Sequence, residues 1–305
     1  MPIERIALSL RQAQQKRTGA EMPTQIVMLG TGNPRPEPDR SGPATAIVVN
    51  DTPYLIDFGP GVVRRVTAAF EKGVTALGYG GVNITTAFVT HLHSDHTVGY
   101  PDLIFTPWVM GRREPLAVYG PVGIRGMTEH VLRAWHIDID ARTNGLNQHN
   151  QTGYKVIARE IAPGIVYRDC NVTVTAFPAH HEEMVDSFSY RFETPDRTIV
   201  ISGDTAPTQA LIDHSRNCDV LIHDAYSMIA SRNVARPSPE FRRRHHTSSA
   251  ELAEIANKIK PGLLVTYHRS NVGEEGASSG GDVLIEEIRC DYKGRVVAAN
   301  DLDVF

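Results

Sequence analysis

Short apolar runs of strand length, each ending in a turn or a polar side chain, recur along most of this chain. Near the amino end, the runs at 25–29, 45–49 and 53–57 predict three strands. A helix is predicted from about 61 to 72, and the run at 86–90 predicts another strand. This alternation of strands and helices is typical of an α/β protein.

The residues before the first strand have a different pattern. Ile3, Ile6, Ala7 and Leu10 follow helical spacing, and the pattern stops near Gly19. We therefore predict a helical extension over residues 1–20, which packs either on its own domain or on a second subunit. Residues 21–305 are predicted to form the main domain.

The later part of the chain continues the strand-rich pattern. A strand near 116–119 leads into a helix that runs to about residue 135, whereas residues 137–154, rich in Asn and Gln, predict a long loop. Apolar and polar positions alternate over 172–177, which predicts a strand. Strands dominate to residue 202, and helices and strands then alternate to the carboxyl end.

The most informative residues of the chain, a cluster of candidate metal ligands, directly follow the strand predicted at 86–90. His91 and His93 are two residues apart, and Asp95 and His96 follow after a turn. Zinc favours imidazole and carboxylate donors at about 2.0–2.2 Å. The spacing therefore predicts that the first pair grips one metal ion and the second pair grips another.

This segment resembles the H-x-H-x-D-H signature of the metallo-β-lactamase superfamily. The resemblance implies three more ligands, supplied in chain order from the ends of later strands. One is a histidine at 180–181, where the spacing to the strand at 188–192 favours His181 over His180. The others are Asp204, as a carboxylate between the ions, and His268.

Further segments are similar to the ribonuclease Z and arylsulfatase-like branch of this superfamily. Leu29-Gly30-Thr31-Gly32 and residues 55–61 match its glycine-rich strand ends, and residues 246–256 match its H-S-T-A stretch. The resemblance implies that His246 assists the leaving group or binds the transferred phosphoryl group. Asp224 is expected to orient His246, although the family has the longer Glu at that position.

Two features bear on the substrate. Arg242, Arg243 and Arg244 directly precede the candidate catalytic histidine, and we predict a positive rim for an anionic substrate there. Ribonuclease Z enzymes carry a long arm that clamps transfer RNA, but only residues 193–197 join the two corresponding strands here. The missing arm favours a small anionic ester over RNA.

The resemblance implies a four-layer αββα sandwich with a dinuclear centre. Two Zn²⁺ ions, or alternatively Mn²⁺ or iron, would hold a bridging hydroxide that hydrolyses a phosphodiester or an aryl sulfate. Asp95 would hold both an ion and the hydroxide proton. Tyr226, Ser227 and Tyr267 are candidate substrate contacts.

Three alternatives remain open. A ribonuclease Z-type endonuclease that processes transfer-RNA 3′ ends is supported by the His246 and Asp224 matches. A β-lactamase or lactonase is supported by the superfamily alone. A two-iron redox protein would use nearly the same ligands, but His93 argues against it because such members put a carboxylate near that position.

Composition and charge exclude some classes of protein. The chain has 305 residues, 41% hydrophobic and 22% charged, with a net charge of −4, as an ordinary globular protein has. Three cysteines without C-x-x-C spacing indicate neither a disulfide framework nor a cysteine metal site. Without a membrane span or an apolar signal core, we expect a cytoplasmic protein. Its expected partners are a small anionic ester, with RNA and a homodimer as further possibilities.

Overall fold

The structure is a computed structural model that describes residues 23–232, 237–269 and 280–305. The helix predicted within residues 1–20 and the domain boundary at residue 21 lie outside the described residues, so both stay predictions.

The strands before residue 161 form the first of two sheets. They are hydrogen-bonded in chain order: β1 Gln25–Gly30, β2 Ala44–Val49, β3 Thr52–Ile56, β4 Thr86–Phe88, β5 Leu116–Gly120 and β6 Val156–Glu160. Strands β1 to β3 are antiparallel, and β3 to β6 are parallel. The strands predicted at 25–29, 45–49, 53–57, 86–90 and 116–119 are therefore confirmed to within a few residues.

The remaining strands form the second sheet. They are β7 Gly164–Arg168, β8 Thr173–Pro178, β9 Phe188–Glu193, β10 Thr198–Ile201, β11 Val220–Asp224, β12 Leu263–Tyr267 and β13 Val296–Ala298. Their order runs in sequence across the sheet from β7 to β13. Strands β7 to β10 are antiparallel, whereas β10 to β13 are parallel. The carboxyl ends of β10, β11 and β12 therefore meet at one edge.

Helices connect the strands of both sheets. The described helices are Val62–Glu71, Ser94–Thr97, Tyr100–Val109, Ile124–Ala134, His136–Asn144, Gln209–Ser215, Pro239–His245, Ser249–Ile259 and Gly280–Asp291. Each of the longer ones buries an apolar stripe, as the 3.6-residue period requires.

Three apolar cores separate four layers. In β3, Tyr54 and Ile56 point into the core between the sheets, whereas Leu55 points into the core beneath the helices of the first sheet. In β10, Val200 points outward in the same way, into the core beneath the helices of the second sheet. This period-two alternation is what a sheet covered on both faces requires. The predicted αββα arrangement is confirmed.

The predicted loop at 137–154 is wrong in its first half. The chain forms the helix His136–Asn144 there, with Arg142 Nε 2.9 Å from Asp138 Oδ1 one turn earlier. Ile139 packs against the outer core of the first sheet. The contact of Ile139 and two side-chain pairs at i, i+4, Asp138 with Arg142 and Asp140 with Asn144, stabilise this helix. The polar composition of the segment suggests a loop instead.

The junction between β9 and β10 is as short as predicted. Residues 194–197 close it as a tight turn, with the Thr194 amide donating to the Arg197 carbonyl at 3.0 Å. No arm leaves the described fold at this junction. Among the described helices, none is long and apolar enough to cross a membrane.

Candidate metal centre

Strand ends place all seven candidate ligands at one edge of the sandwich. The loop after β4 carries His91 and His93, and the short helix Ser94–Thr97 turns the chain so that Asp95 and His96 face the same space. The segments after β8, β10 and β12 bring His181, Asp204 and His268 to this space. Rigid strand ends fix side chains more tightly than free loops do.

Three histidines form the first cluster. His91 Nε2 and His181 Nε2 each lie 3.1 Å from His93 Nδ1. The three candidate donor atoms lie within 4.8 Å of one another. The neighbouring His180 is not part of this cluster, since its side chain is 56% exposed and faces Glu182.

Two carboxylates and two histidines form the second cluster. His268 Nε2 lies 3.1 Å from Asp95 Oδ2 and 3.2 Å from Asp204 Oδ2. His96 Nε2 lies 3.4 Å from Asp204 Oδ1 and 3.6 Å from Asp95 Oδ2. All four side chains are buried. The structure thus brings together every residue that the sequence predicted as a ligand, in two groups.

These donors fit divalent metal ions. His96 Nε2 and Asp204 Oδ1 are buried without a hydrogen-bond partner, and such an atom costs about 1–3 kcal/mol when it is left unsatisfied. Donors around a tetrahedral ion with bonds of about 2.0–2.1 Å lie roughly 3.3 Å apart. The observed separations are close to that spacing, so an ion between the donors would satisfy them.

A buried carboxylate outside both clusters fixes the metal-binding loop. Asp57 accepts hydrogen bonds from the Thr90 amide and from the His96 Nδ1, both at 2.8 Å. The Thr90 hydroxyl lies 3.0 Å from His91 Nδ1, and the His245 carbonyl accepts from His181 Nδ1 at 2.9 Å. Each of these rings is thus held at the nitrogen that faces away from the cluster, as metal-binding histidines usually are.

The sequence reasoning gave Asp57 no role. It follows β3 directly, precedes Phe58-Gly59, and has a positive φ of 58°, which is uncommon for Asp. A carboxylate at a turn is usually a turn residue, so only its burial reveals its function. The signal in the sequence was its position at the end of a buried strand, next to the glycine that lets the metal loop approach.

Two glycines allow the loops to meet. A Cβ on Gly59 would lie 2.3 Å from the Asp95 carbonyl oxygen. Gly203 has a φ of +63°, and a Cβ there would lie 2.9 Å from the Thr90 Cβ. Both positions need the small size of glycine, and position 203 also needs its backbone freedom.

The charges of the second cluster suit a cation. Burial alone would lower the pKa of His96, but Asp204 and Asp57 outweigh it and hold that pKa well above its ordinary value. Burial alone would raise the pKa of Asp204, yet His268 and His96 hold it well below. Burial lowers the pKa of His91. The first cluster therefore offers neutral imidazoles, and the second offers ionised carboxylates.

His246 and Asp224 form a hydrogen-bonded pair beside the clusters. His246 Nδ1 lies 2.9 Å from Asp224 Oδ2 and 4.0 Å from Asp204 Oδ2. Burial lowers the pKa of His246 and raises the pKa of Asp224. Because burial disfavours a charge on either side chain, the pair favours a state without net charge that shares one proton.

The three arginines of the predicted positive rim differ in their surroundings: Arg242 lines a cavity beside His246 although it is mostly buried, whereas Arg244 is paired with carboxylates. Arg242 is 7% exposed and donates to the backbone carbonyls of Pro237 and Ser231. Arg244 lies 2.7 Å from Glu182 and 3.1 Å from Glu240, which offset its charge. Arg242 and Arg244 therefore mainly make contacts within the fold, and less of their charge is available to attract a substrate.

A cavity of about 550 Å³ adjoins the second cluster. Asp224, His246 and His268 line it, together with Tyr226 and Ser227. Two of the predicted substrate contacts thus face this space. The third, Tyr267, does not line the cavity, because its ring is buried between the sheets.

Comparison with known proteins identifies the class. The family model described as "Beta-lactamase superfamily domain" matches residues 52–269. The chain belongs to the β-lactamase superfamily, has the metallo-β-lactamase fold and is a metal-dependent hydrolase.

Within the superfamily, the chain is similar to proteins named ribonuclease Z. It is 29% identical to the one from Mycobacterium bovis (strain BCG / Pasteur 1173P2), over 91% of this chain and 96% of that one. It is 31% identical to the one from Mycobacterium sp. (strain KMS), over 80% and 83%.

Solved structures share the fold. The metallo-β-lactamase fold protein YhfI from Bacillus subtilis has a TM-score of 0.70 at 19% identity, over 93% of this chain and 100% of that one. The short form of human tRNase Z has a TM-score of 0.66 at 22% identity, over 92% and 98%.

The role of Asp57 can be tested directly. Asp57→Asn keeps the size of the side chain but removes the charge that holds His96 and the Thr90 amide. We expect metal affinity to fall by about 10–100-fold, the usual effect of losing such a partner. Titration against a competing chelator measures it. The control is Asp51→Asn, at an exposed position six residues earlier, and equal affinities for both variants would contradict the assignment.

Proposed function

We propose that this protein is a phosphodiester hydrolase that uses two divalent metal ions. Zinc is favoured because histidine supplies five of the seven donors in the two clusters. Mn²⁺ and iron are the alternatives. One ion would be held by His91, His93 and His181, and the other by His96 and His268, with Asp95 and Asp204 as carboxylate donors.

The observation that carries this proposal is the hydrogen bond between His246 Nδ1 and Asp224 Oδ2, 2.9 Å long. This hydrogen bond uses Nδ1 of His246, so Nε2 can contact a molecule bound in the cavity that His246 lines. A histidine fixed in this way beside a metal centre is suited to proton transfer. It gives the protein a group that acts on a leaving oxygen.

The chemistry of hydrolysis then divides among these side chains. Bound divalent ions polarise the phosphoryl group and lower the pKa of a nearby water. Water adds its oxygen to phosphorus, the bond from phosphorus to the leaving oxygen breaks, and a proton goes to that oxygen. His246 is placed to give this proton, with Asp224 holding its ring. Asp95 is placed to take the proton that the water loses.

Charge supports an anionic substrate. Two divalent ions bring four positive charges, and Asp95 and Asp204 offset two of them. The excess favours a substrate with a negative charge, such as a phosphodiester or an aryl sulfate. The positive charges of Arg242 and Arg244 are not needed for this excess.

A second candidate is a transfer-RNA endonuclease. It is favoured by the similarity to proteins named ribonuclease Z, one of which the chain covers over 96% of its length. The four-residue turn at 194–197 argues against it, since no arm for binding RNA leaves the fold there. We therefore place a small phosphodiester first.

Metal content tests the site. Elemental analysis of purified wild-type protein is expected to find close to two metal ions per chain, mostly zinc. Asp204→Ala removes a carboxylate from the second cluster, so it should lose at least one ion. Asp213→Ala, on the surface helix Gln209–Ser215, is the control and should keep both. A stable, active protein without any transition metal would overturn the site.

His246 has a separate test. His246→Ala is expected to keep both ions yet slow hydrolysis by about 10²–10⁴-fold, the usual contribution of general acid catalysis. The loss should be large for alkoxide leaving groups and small for nitrophenolate, which leaves without a proton. His130→Ala, on the exposed face of another helix, is the control. An unchanged rate with an alkoxide leaving group refutes the role.

The substrate class can be measured with three compounds. We expect clear turnover of bis(4-nitrophenyl) phosphate and a much lower kcat/KM for precursor transfer RNA. Turnover of 4-nitrophenyl sulfate shows whether the protein prefers a phosphodiester or an aryl sulfate. A ribonuclease Z that carries the RNA-binding arm is assayed in parallel to show that the RNA can be cleaved. Efficient, site-specific cleavage of the RNA by this protein would put the endonuclease first.

A further inference from the structure

The cavity beside the metal centre has a polar base and an apolar wall. Asp224, His246 and His268 form the base. Most of the remaining lining is apolar and includes Tyr226 and Phe241, and the cations Arg35 and Arg242 also line the cavity. Sites for small organic molecules usually measure about 300–1,000 Å³ and combine an apolar lining with a few polar groups. At about 550 Å³, this cavity has the size and the character of such a site.

The cavity lies on one side of the centre. Among the described residues, His246 and His268 line it, whereas His91, His93 and His181 do not. A substrate that spans the centre therefore places only one of its two ester groups in the cavity, the one beside His246. If His246 protonates the leaving oxygen, the group in the cavity is the leaving group.

Phe241 supplies a flat wall that is held in place. Its ring stacks on the ring of His245, with centroids 3.7 Å apart and planes 12° apart. His245 is in turn fixed by Glu183, 2.6 Å from its Nε2, and by the Phe241 carbonyl, 2.8 Å from its Nδ1. Phe241 is still 39% exposed and lines the cavity. A preorganised aromatic surface favours a planar partner.

We infer that this cavity binds the leaving group of the substrate and that it selects one with a planar aromatic ring, either an aryl alcohol or a nucleoside that leaves through a sugar oxygen with its base in the cavity. The inference rests on the proposed function and extends it by naming the group that departs. Phe241 and the small Ala230, which also lines the cavity, are the residues that set this selectivity.

Three esters separate the leaving side from the retained side. 4-Nitrophenyl methylphosphonate has an aromatic group only on the leaving side. 4-Nitrophenyl phenylphosphonate has one on both sides, and 2,2,2-trifluoroethyl phenylphosphonate has one only on the retained side. Each hydrolysis breaks the bond from phosphorus to the leaving oxygen, and water supplies the oxygen and the proton.

Two variants alter the cavity in opposite ways. Phe241→Leu removes the aromatic face but keeps an apolar side chain against His245. Ala230→Phe fills the cavity. For both nitrophenyl esters we expect Phe241→Leu to lower kcat/KM by about tenfold, as losing one good aromatic contact does, and Ala230→Phe to raise KM. For the trifluoroethyl ester, kcat/KM should fall much less. The ratio of kcat/KM for aryl leaving groups to kcat/KM for alkyl leaving groups therefore falls.

Controls guard against a general loss of structure. Tyr79→Leu removes an aromatic ring that is 52% exposed and does not line the cavity, and it should leave all three esters unaffected. Metal content is measured for every variant. If kcat/KM falls only for the two phenylphosphonates, the cavity binds the retained group. If kcat/KM falls equally for all three esters, the cavity does not select an aromatic leaving group. Either result overturns the inference.

Binding without turnover keeps the two proposals apart. Equilibrium dialysis measures 4-nitrophenol binding to the metal-loaded wild type and to Ala230→Phe. If no ester is hydrolysed but the wild type binds 4-nitrophenol and Ala230→Phe does not, the proposed function fails and the aromatic site stands. If the esters are hydrolysed but neither variant changes the preference, the aromatic site fails alone. Equal 4-nitrophenol binding by both proteins also overturns it.

Discussion

The buried carboxylate of Asp57 is the constraint on which the metal centre depends. It accepts hydrogen bonds from the Thr90 amide, before the first candidate ligand, and from the ring of His96, the last one in that loop. A carboxylate 1% exposed is tolerated only when it is well paired. The loop and Asp57 therefore stabilise each other, and the ligands between Thr90 and His96 are held by both ends of one short segment.

The second constraint is electrostatic. Asp95 and Asp204 face each other across His96 and His268, at distances of 3.1–3.6 Å from the ring nitrogens. The carboxylates of Asp204 and Asp57 hold the pKa of the buried His96 well above its ordinary value, so this site favours positive charge. A divalent ion bound only by the folded chain would add its binding free energy to the stability of the sandwich.

The sequence was most informative where chemistry and a strand end coincide. His91, Asp204 and His268 each follow an apolar run, so residue type and position agreed, and the structure brings them together. Asp57 could not be recognised as a structural partner, because its burial depends on a loop 33 residues away. Arg242 was predicted to be exposed for a similar reason. Its partners are carbonyls from a neighbouring connection, and no local pattern encodes them.

The wall of the cavity is built from connections and not from the sandwich itself. Phe241 and Ala230 belong to none of the three apolar cores, so exchanging them leaves the packing of those cores unchanged. The ligands, by contrast, are tied to strand ends and to one another. If the cavity binds substrate as proposed, substitutions in its wall would alter which molecule enters while the metal-binding residues stay unchanged. Members of one superfamily can keep the same metal-binding strand ends and still differ in substrate, because the residues of the cavity wall can be exchanged separately.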